Sequence, residues 1–525
     1  MIVRRAAPPA VAVVDAARVA ALDAAGIAAG IPSRALMQRA GAAVAALLAA
    51  DFPDRLADGV VVAAGTGNNG GDGWVAAQAL HAVGVRVRVV ETALPRTPDA
   101  LAERASAIAA GVPVSDAVSS LAEGGERIVV DALLGTGFSA GAPLRGPVRS
   151  AVAQLVALRA RGATIVAVDL PSGLDATTGR GPDGAIADLT VTFSALRRGH
   201  LVARGRCGRI VVADIGLGSF VADVDARAVD ARWFAATLPP IAADAHKGMR
   251  GKVAILGGGP GMGGAVLLAA RGALRAGAGM VKCVVARDSL PTVREGEAAA
   301  LSAEWPTDAA AMHDAIGGWA DVVLVGPGLG RPDARAIVER LLAAFQGPVV
   351  LDADALNAFE GQASRLRELL TGRTALLTPH PAEFARLAGV SVDAVLADRF
   401  AWPAGLAGQT GATVLLKGVP TVIAAPDGTT YCVAEGTPVL ATGGSGDLLG
   451  GMAATLLAQR PDALDAAALA AFAHGRAARL VGGRQVRGFT LDDVVAALPE
   501  VWRTAPDPPR PPVLADLPAV GEDER

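Results

Sequence analysis

Runs of Val, Ile and Leu of strand length alternate with alanine-rich helical stretches along almost the whole chain. Strands that read as continuous apolar runs are typical of sheets buried on both faces. The alternation with helical stretches indicates parallel strands joined by crossover helices. We therefore predict an α/β protein built from three-layer αβα domains.

The length of 525 residues favours two domains, because one ordinary core does not grow that large. The predicted strands form two series: Val60–Ala64, Val85–Val90, Ile128–Asp131 and Ile165–Asp169, then Lys252–Leu256, Val322–Val325, Val349–Leu351, Ala375–Leu377 and Val414–Leu416. Glycine-rich motifs stop between Ile215 and Lys247, so we place the boundary near Gly216–Ala226. This gives domains of residues 1–220 and 221–504. Residues 505–525, rich in Pro and acidic residues, are predicted to be disordered.

Composition and charge exclude several classes of partner. The mean hydropathy is +0.41, but no run of about 20 apolar residues is present, so no membrane span is expected. Basic and acidic residues number 48 and 51, which argues against a nucleic-acid partner. Cys207, Cys283 and Cys432 are scattered, as expected for reduced thiols in the cytoplasm. We expect a cytoplasmic homo-oligomer that acts on small molecules.

The first glycine-rich motif follows strand Val60–Ala64 and reads GTGNNGGDG over residues 65–73. A strand, a glycine loop and a helix N-terminus together form an anion site, because bare N–H groups and the positive end of the helix dipole face the ligand. The motif also fits the GxGxxG dinucleotide fingerprint, with Glu91 in the position of a ribose-binding acid. A lone match of this kind is weak support for an ordinary dehydrogenase.

Two further loops follow predicted strands: VDALLGTG over residues 130–137 and VDLPSGLD over residues 168–175. Each places a carboxylate at the carboxyl end of a parallel strand, where open α/β sheets bind ligands. A single Asp there is often only a helix cap or a turn former. Three such loops at one sheet edge favour a binding site.

Together these three motifs resemble the NAD(P)H-hydrate epimerase family, over roughly residues 10–216, with Gln38 where that family usually has Glu. The resemblance implies a Rossmann-like domain and a potassium ion held by Asn69, Asp131 and Ser172, whose oxygens suit a hard cation. It further implies that the hydrated dinucleotide contacts the following residues: Asn68, Asn69, Gly70, Gly71, Asp72, Gly135, Thr136, Gly137, Phe138, Ser139, Ala140, Gly141 and Asp169.

Inverting the hydrated carbon requires loss and return of its hydroxyl, or ring opening. Both routes need an acid/base group, and we predict that Asp169 is this group. The family has a lysine near the end of this domain, where this chain has Arg197. Arginine keeps the charge but does not deprotonate, so we interpret Arg197 as a contact for an anion.

The second half of the chain carries its own series of loops after predicted strands. They read GGGPGMGGA (257–265), GPGLG (326–330), LDADALN (351–357), LTPHPAEF (377–384), LKG (416–418) and TGGSGD (442–447). The last one places a glycine run and Asp447 at a helix N-terminus, which combines amides for a phosphoryl group with a carboxylate base. A Walker GxxxxGK[ST] loop is absent. The motif resembles the ribokinase-like superfamily.

Within that superfamily, these loops and His246-Lys247-Gly248 resemble the ADP-dependent NAD(P)H-hydrate dehydratases, over roughly residues 240–503. The resemblance implies that Asp447 is the catalytic base and that Mg²⁺ accompanies ADP. The implied contacts of the hydrated dinucleotide are Ala265, Gly328, His380 and Asp447. The implied contacts of ADP or AMP are Lys417, Gly418, Val419, Pro420, Thr421 and Gly446.

Several alternatives stay open at this point. His380 fits a helix-start residue satisfied by backbone as well as a ligand contact, and Glu383 fits either Mg²⁺ or the first helical turn. Asp352 and Asp354 are interpreted as structural caps. The chain as a whole could instead be a small-molecule kinase fused to a dinucleotide-binding module without catalysis.

Overall fold

The computed structural model describes residues 7, 9, 11–220, 224–330, 332–482, 486–503 and 512–520. The chain divides into two compact units, which we call the N-terminal unit (Ala10–Asp225 and Pro508–Arg525) and the C-terminal unit (Met1–Pro9 and Ala226–Asp507). The change from one unit to the other thus falls five residues after the expected boundary at residue 220.

The N-terminal unit is built on an eight-stranded sheet in the order β20-β9-β7-β6-β5-β2-β3-β4. All neighbouring strands are parallel except β20, which runs antiparallel to β9. Within this unit, β1 pairs with β8 in parallel. The strands of this unit are β1 (Val11–Val14), β2 (Val60–Ala64), β3 (Val87–Glu91), β4 (Val114–Ser115), β5 (Ile128–Ala132), β6 (Thr164–Val168), β7 (Leu189–Phe193), β8 (Leu196–Arg197), β9 (Arg209–Ala213) and β20 (Val513–Leu517).

Helices cover both faces of this sheet because successive strand residues point to opposite sides. On β2, Val60 and Val62 pack into one buried apolar cluster, whereas Val61 and Ala63 pack into another. The helices of the unit are α1 (Ala16–Ala28), α2 (Ser33–Asp51), α3 (Pro53–Leu56), α4 (Asn68–Ala82), α5 (Pro98–Ala109), α6 (Gly146–Ala160), α7 (Arg198–Val202) and α8 (Arg204–Cys207).

The termini depart from the sequence prediction. Residues 505–525 were predicted to be disordered, but Val513–Leu517 forms strand β20, so this prediction is wrong for that segment. The five residues Val-Leu-Ala-Asp-Leu supply an apolar pattern that the surrounding prolines hide, and the open edge of β9 offers unpaired backbone groups. At the other end of the chain, the Ala7 carbonyl accepts from Trp233 Nε1 at 2.8 Å, within the C-terminal unit.

The C-terminal unit is built on strands in the order β13-β12-β11-β14-β15-β16-β17-β18-β19-β10. The strands from β13 to β17 are parallel, while β18 runs antiparallel to both β17 and β19, which the sequence did not predict. The strands are β10 (Ala226–Ala228), β11 (Lys252–Leu256), β12 (Met280–Val285), β13 (Ala300–Glu304), β14 (Val322–Val325), β15 (Val349–Leu351), β16 (Ala375–Leu377), β17 (Thr413–Leu416), β18 (Thr421–Ala424) and β19 (Thr430–Val433).

Two large apolar clusters separate the faces of this sheet, since Val253 and Ile255 belong to one and Ala254 and Leu256 to the other. The three-layer αβα architecture is therefore confirmed in both units. The helices are α9 (Ala231–Thr237), α10 (Gly263–Arg275), α11 (Leu290–Gly296), α12 (Ala309–Met312), α13 (Ala334–Ala344), α14 (Asp354–Asn357), α15 (Ala363–Leu370), α16 (Pro381–Ala388), α17 (Val392–Ala397), α18 (Trp402–Thr410), α19 (Ser445–Gln459), α20 (Ala463–Gly482) and α21 (Leu491–Arg503).

In the described part of the chain, no single helix has both the length and the apolar character needed to cross a membrane; only α1 and α2 taken together reach those limits, and they are bent by 119°.

Candidate active sites

The loops after β2, β5 and β6 meet at the carboxyl edge of the N-terminal sheet. Glycine is required there by close backbone approach: a side chain at Gly65 would collide with the Leu133 carbonyl, and one at Gly70 with the Gly65 carbonyl. A Cβ placed on Gly135 would lie 3.2 Å from both Asn69 Oδ1 and Asp169 Oδ2. The three motifs found in the sequence thus form one cluster.

Asp169 lies at the centre of this cluster, one residue after β6. Its backbone is in the left-handed region, with φ of 64°, and its N–H donates to the Val191 carbonyl at 2.7 Å. One carboxyl oxygen accepts from Thr192 Oγ1 at 3.0 Å and pairs with Arg197 Nη2 at 2.9 Å. The other accepts from the N–H and hydroxyl of Thr136, at 3.2 and 3.1 Å. Left-handed backbone at a non-glycine residue is a mark of functional sites.

These contacts determine the charge of Asp169. Burial opposes ionisation, but Arg197, His200 and the two threonine hydroxyls together lower the pKa of Asp169 below its ordinary value. The carboxylate is therefore ionised and fixed in orientation.

Arg197 has a different role from the one predicted. Its side chain is buried: Nη2 pairs with Asp169, Nη1 donates to the carbonyls of Phe193 and Ala195 at 3.2 and 2.7 Å, and Nε has no hydrogen-bond partner among the described residues. The interpretation of Arg197 as a contact for a ligand anion is therefore corrected. The anion that Arg197 pairs with is the carboxylate of Asp169, and Arg197 lies at the end of β8.

His200 completes this arrangement through the backbone. Burial lowers the pKa of His200 to about 4, so the ring is neutral at physiological pH. Its Nδ1 accepts from the Arg197 N–H at 3.0 Å, which leaves Nε2–H to donate to the Asp169 carbonyl at 2.7 Å. Sequence analysis did not identify this residue, since a buried histidine in a short helix carries no motif.

Two more carboxylates lie near Asp169. Burial, followed by the charges of Asp169 and Asp23, raises the pKa of Asp72 well above its ordinary value. The pKa of Asp23 on α1 is also raised, first by desolvation. Asp72 was predicted from the GTGNNGGDG motif, whereas Asp23 was missed because an Asp on the exposed side of an alanine-rich helix has no distinguishing pattern.

Of the three predicted potassium ligands, Asp131 and Ser172 are hydrogen-bonded to each other, and Asn69 lies in the first turn of α4. Ser172 Oγ donates to Asp131 Oδ1 at 2.5 Å, and the Ser172 N–H donates to Asp131 Oδ2 at 2.8 Å, with both side chains fully buried. Burial raises the pKa of Asp131 to about 6. Asn69 reaches the same loops at Gly135, and its buried Nδ2 makes no hydrogen bond within the described residues. The oxygens of Asp131, Ser172 and Asn69 are of the kind that a hard cation takes as ligands, whereas the unpaired Asn69 Nδ2 is a hydrogen-bond donor and does not coordinate a cation.

Of the other predicted epimerase contacts, Gly137 to Gly141 lie on the loop after β5, whereas Gly70 and Gly71 are buried in α4. The loop after β5 turns through a Phe138 N–H bond to the Gly135 carbonyl at 3.1 Å, and Ala140 N–H donates to Asp175 Oδ2 at 3.1 Å. Glu91, the candidate ribose acid of a dehydrogenase, is instead held by Arg104 at 2.7 and 2.8 Å. Both carboxyl oxygens of Glu91 are thus bound by Arg104. They are not free to bind a ribose, which argues against an ordinary dehydrogenase.

At the carboxyl edge of the C-terminal sheet, glycine loops again approach each other closely. A side chain at Gly326 would collide with the Asp352 carbonyl, and one at Gly257 with the Pro327 carbonyl. A Cβ at Gly328 would lie 3.1 Å from the Ala265 Cβ, so two predicted contacts of the dinucleotide are adjacent. The bare backbone of these loops leaves room for a ligand to approach.

Asp447 lies in the first turn of α19, which begins after Gly444 in the left-handed conformation. Burial and the neighbouring Asp352 raise the pKa of Asp447 to about 7, although Lys417 acts against the shift. Glu383 and Asp354 contribute further in the raising direction. Asp447 is therefore a carboxyl group that exchanges a proton near neutral pH.

Lys417, at the end of β17, forms an ion pair with Asp352 across 2.7 Å, and their side chains are only 18% and 1% exposed. A Cβ on Gly446 would lie 2.9 Å from Lys417 Nζ, so this pair lies directly beneath the start of α19. The interpretation of Asp352 as a cap is thus incomplete, because its carboxylate balances a buried cation. Asp354 does satisfy backbone, accepting from Gly330 N–H at 2.9 Å.

His380 and Glu383 form a reciprocal cap at the start of α16. His380 Nδ1 accepts from the N–H groups of Ala382 and Glu383 at 3.1 and 3.4 Å, and Glu383 Oε2 accepts from the His380 N–H at 2.9 Å. Of the two alternatives for Glu383, the structure shows the first-turn role. His380 caps the helix and stays 47% exposed, so its ring is also accessible to a ligand.

The loop predicted to bind the nucleotide connects β17 to β18. Gly418 has φ of 147°, the Val419–Pro420 peptide is cis, and Thr421 Oγ1 donates to the Gly418 carbonyl at 2.7 Å. In this loop Gly418 and Val419 are exposed, whereas Pro420 and Thr421 are buried. Lys417 lies beside Gly446, the residue before Asp447.

The folds and sites define an enzyme with two α/β catalytic domains, each with glycine-rich loops and an acidic residue at the carboxyl edge of its sheet. The family described as YjeF-related protein N-terminus matches residues 33–199, and the family described as NAD(P)H-hydrate dehydratase matches residues 253–500. The chain belongs to the family of bifunctional NAD(P)H-hydrate repair enzymes, with an epimerase domain followed by an ADP-dependent dehydratase domain. Both predicted family resemblances are thereby confirmed.

Relatives of this family cover nearly the full chain. The bifunctional NAD(P)H-hydrate repair enzyme Nnr of Salinibacter ruber is 36% identical and covers 90% of this chain and 92% of its own length. The Escherichia coli protein of the same name is 34% identical, with 90% of each chain covered. The ADP/ATP-dependent NAD(P)H-hydrate dehydratase of Bacillus subtilis, co-crystallised with ATP and Mg²⁺, is 31% identical, covers 52% of this chain and 96% of its own, and has a TM-score of 0.47.

Proposed function

We propose that the two repair reactions occur at the two sheet edges described above, with Asp169 as the base for epimerisation and Asp447 as the base for dehydration. The observation that carries the proposal is Asp447, whose carboxyl group lies in the first turn of a glycine-started helix with a pKa of about 7. A general base is most effective when its pKa lies near the working pH. In this proposal the S form of the hydrated cofactor and ADP meet at Asp447.

The dehydration then proceeds in balanced steps. Asp447 accepts the proton of the ring hydroxyl as that oxygen attacks the terminal phosphorus of ADP, and the bond between this phosphorus and the bridging oxygen breaks to release AMP. Phosphate leaves the ring carbon with the C–O bonding electrons, while the ring nitrogen lone pair forms a C=N bond. Loss of a proton from the neighbouring ring carbon restores the dihydronicotinamide. The N–H of Gly446, in the first turn of α19, would stabilise the phosphoryl group in transfer.

The chemistry proposed for the N-terminal site uses two carboxyl groups of opposite state. Asp169 is ionised because Arg197 and the threonines hold it, whereas burial and the adjacent charges raise the pKa of Asp72 well above its ordinary value, which favours the protonated form. Pairs of titratable groups with divergent pKa values commonly supply the base and the acid of one reaction. Asp169 would accept a proton from the substrate and Asp72 would return one, whether the route is hydroxyl loss or ring opening.

The family resemblance also suggests which residues bind the ions, the nucleotide and the hydrated dinucleotide. Asn69, Asp131 and Ser172 would hold potassium, which would neutralise the buried negative charge next to the dinucleotide. In the C-terminal unit, no three His, Cys, Asp or Glu side chains of the described residues gather as a metal site. Mg²⁺ commonly binds through one or two carboxylates together with substrate phosphates and water, so we propose that it enters with ADP. Lys417 to Thr421 and Gly446 would bind the nucleotide, and Ala265, Gly328 and His380 the dinucleotide.

Incubation of the full chain with racemic hydrated NADH or NADPH and ADP tests the proposal. Absorbance of the dihydronicotinamide should recover completely, with AMP and inorganic phosphate released in equal amounts. Recovery that stops when one epimer is consumed would refute the epimerase assignment. A phosphorylated product that accumulates without inorganic phosphate would instead indicate the alternative, a small-molecule kinase. ATP in parallel shows which nucleotide is preferred.

A further inference from the structure

Arg399 lies directly over the loop proposed to bind the nucleotide. It precedes α18 in the chain, and its Nη1 donates to the Pro420 carbonyl at 2.9 Å. Gly418 lies beneath the guanidinium group, so closely that any side chain at residue 418 would collide with it. The guanidinium therefore forms part of the same surface as the loop from Lys417 to Thr421.

The charge of Arg399 has no counter-ion in the part of the chain that the structure describes. No carboxylate there lies within ion-pair distance, and burial lowers the pKa of Arg399. A guanidinium group carries five N–H donors, and one bond is formed to Pro420. Lys417, in contrast, is already paired with Asp352. Arg399 is thus a cation beside the loop whose charge the protein leaves unbalanced.

Arg373 shows what a purely structural arginine looks like in the same unit. Burial lowers the pKa of Arg373 too, and no ion pair joins it to a described carboxylate. Its Nη1 and Nη2, however, donate to the carbonyls of Phe345 and Leu342 at 2.6 and 2.9 Å, and Nη2 also reaches Gln346 at 3.3 Å. Arg373 lies before β16, at the sheet edge opposite to Asp447. Arg373 therefore stabilises the end of α13 through these hydrogen bonds and lies away from the proposed nucleotide site.

We propose that Arg399 binds the phosphoryl groups of ADP in the dehydratase site. The proposal rests on the nucleotide site proposed above. The planar guanidinium fork matches phosphate oxygens, and a partly buried cation with free donors is stabilised when an anion supplies the missing charge. Three acidic residues near Asp447, namely Asp352, Glu383 and Asp354, repel an incoming diphosphate, so a cation other than the paired Lys417 is needed to attract it.

Titration calorimetry of ADP with the full chain tests this role. Arg399→Gln keeps a donor for the Pro420 carbonyl but removes the charge, and it should weaken ADP binding about tenfold or more, because a hydrogen bond between charged groups commonly contributes that much. Adenosine, which has no phosphate, should bind the variant as well as the parent. Arg399→Lys should fall between the two for ADP. Arg373→Gln, the matched control, should leave ADP affinity unchanged.

Each other result overturns the inference. Unchanged ADP affinity in Arg399→Gln would show that no phosphate is contacted. Equal losses for ADP and adenosine would assign a bracing role to the side chain. A raised KM for the hydrated cofactor with ADP binding unchanged would assign Arg399 to the diphosphate of the dinucleotide. The thermal unfolding transition of the C-terminal unit reports folding of the variants, and absence of ADP binding in the parent chain would reject the proposed nucleotide site itself.

Discussion

Asp169 and Asp447 occupy equivalent places, at the carboxyl edges of two parallel sheets, yet their surroundings drive them in opposite directions. Asp169 touches a cation directly, since Arg197 pairs with it and three further donors complete the shell. Near Asp447 the only described cation that affects its charge, Lys417, is bound to Asp352. The pKa is lowered at Asp169 and raised to about 7 at Asp447.

The difference teaches that position at a sheet edge does not define the chemistry of a carboxylate. Asp447 can take up and release a proton near neutral pH because burial, together with its mainly acidic neighbours, raises its pKa to about 7. Asp169 stays ionised, so the protonated partner in its site has to be another group, and Asp72 has the raised pKa that suits this task. In the proposed mechanisms, the same position at a sheet edge would serve two modes of acid/base catalysis.

The largest effect is expected from Asp447→Asn. The amide does not accept the hydroxyl proton, so kcat for dehydration should fall about 10²–10⁴-fold, while epimerisation is unchanged. Formation of dihydronicotinamide from the S hydrate measures the first activity, and interconversion of the two hydrates measures the second. Asp393→Asn, at an exposed first-turn Asp of α17, is the matched control. Loss of both activities in a folded variant would contradict the assignment of two separate sites.

Asp169→Asn should reverse this pattern with a smaller effect. Epimerisation should slow about 10²-fold, because the base is lost and Arg197 is left without its partner, while dehydration of the purified S hydrate continues at the parent rate. Exchange between the R and S hydrates is followed by chromatography against a buffer blank. Asp116→Asn, at an exposed position of the same unit, is the control. An unaltered enzymatic rate would show that another group is the base.

The two activities should differ in their pH dependence because the pKa shifts of Asp447 and Asp169 have opposite signs. A base works when deprotonated, so kcat/KM for dehydration should drop about tenfold per unit as pH falls below about 7, the pKa of Asp447. Asp169 has a lowered pKa and stays ionised there, so epimerisation should show no matching acid limb over the same range. Initial rates at constant ionic strength decide this, and coincident limbs would refute the contrast between the two sites.

The sequence predicts the sheets better than it predicts the sites. Strands such as Val60–Ala64 and Lys252–Leu256 are found with the predicted bounds because continuous apolar runs depend on local composition. The glycine loops also lie where predicted, since close backbone approach demands glycine. The partners of charged groups were not predictable: neither the pairing of Arg197 with Asp169 nor that of Lys417 with Asp352 has a sequence signal, because each joins residues from different loops.

The smallest effect is expected from a substitution in the C-terminal tail. It tests whether the epimerase site around Asp169 depends on the outer edge of the sheet. β20 pairs with β9, which lies beside β7, the strand that carries Thr192. Asp516 of β20 pairs with Arg209, but both side chains are partly exposed, 44% and 36%, and Arg209 keeps a second partner in Asp51. Asp516→Asn should therefore lower the free energy of unfolding by about 0.2–1 kcal/mol and leave epimerisation unchanged. Hydrogen exchange of the β9 amides measures the stability change. A disordered tail would instead give no change at all and rapid exchange over Val513–Leu517, and an altered epimerisation rate would show that the site depends on this sheet edge.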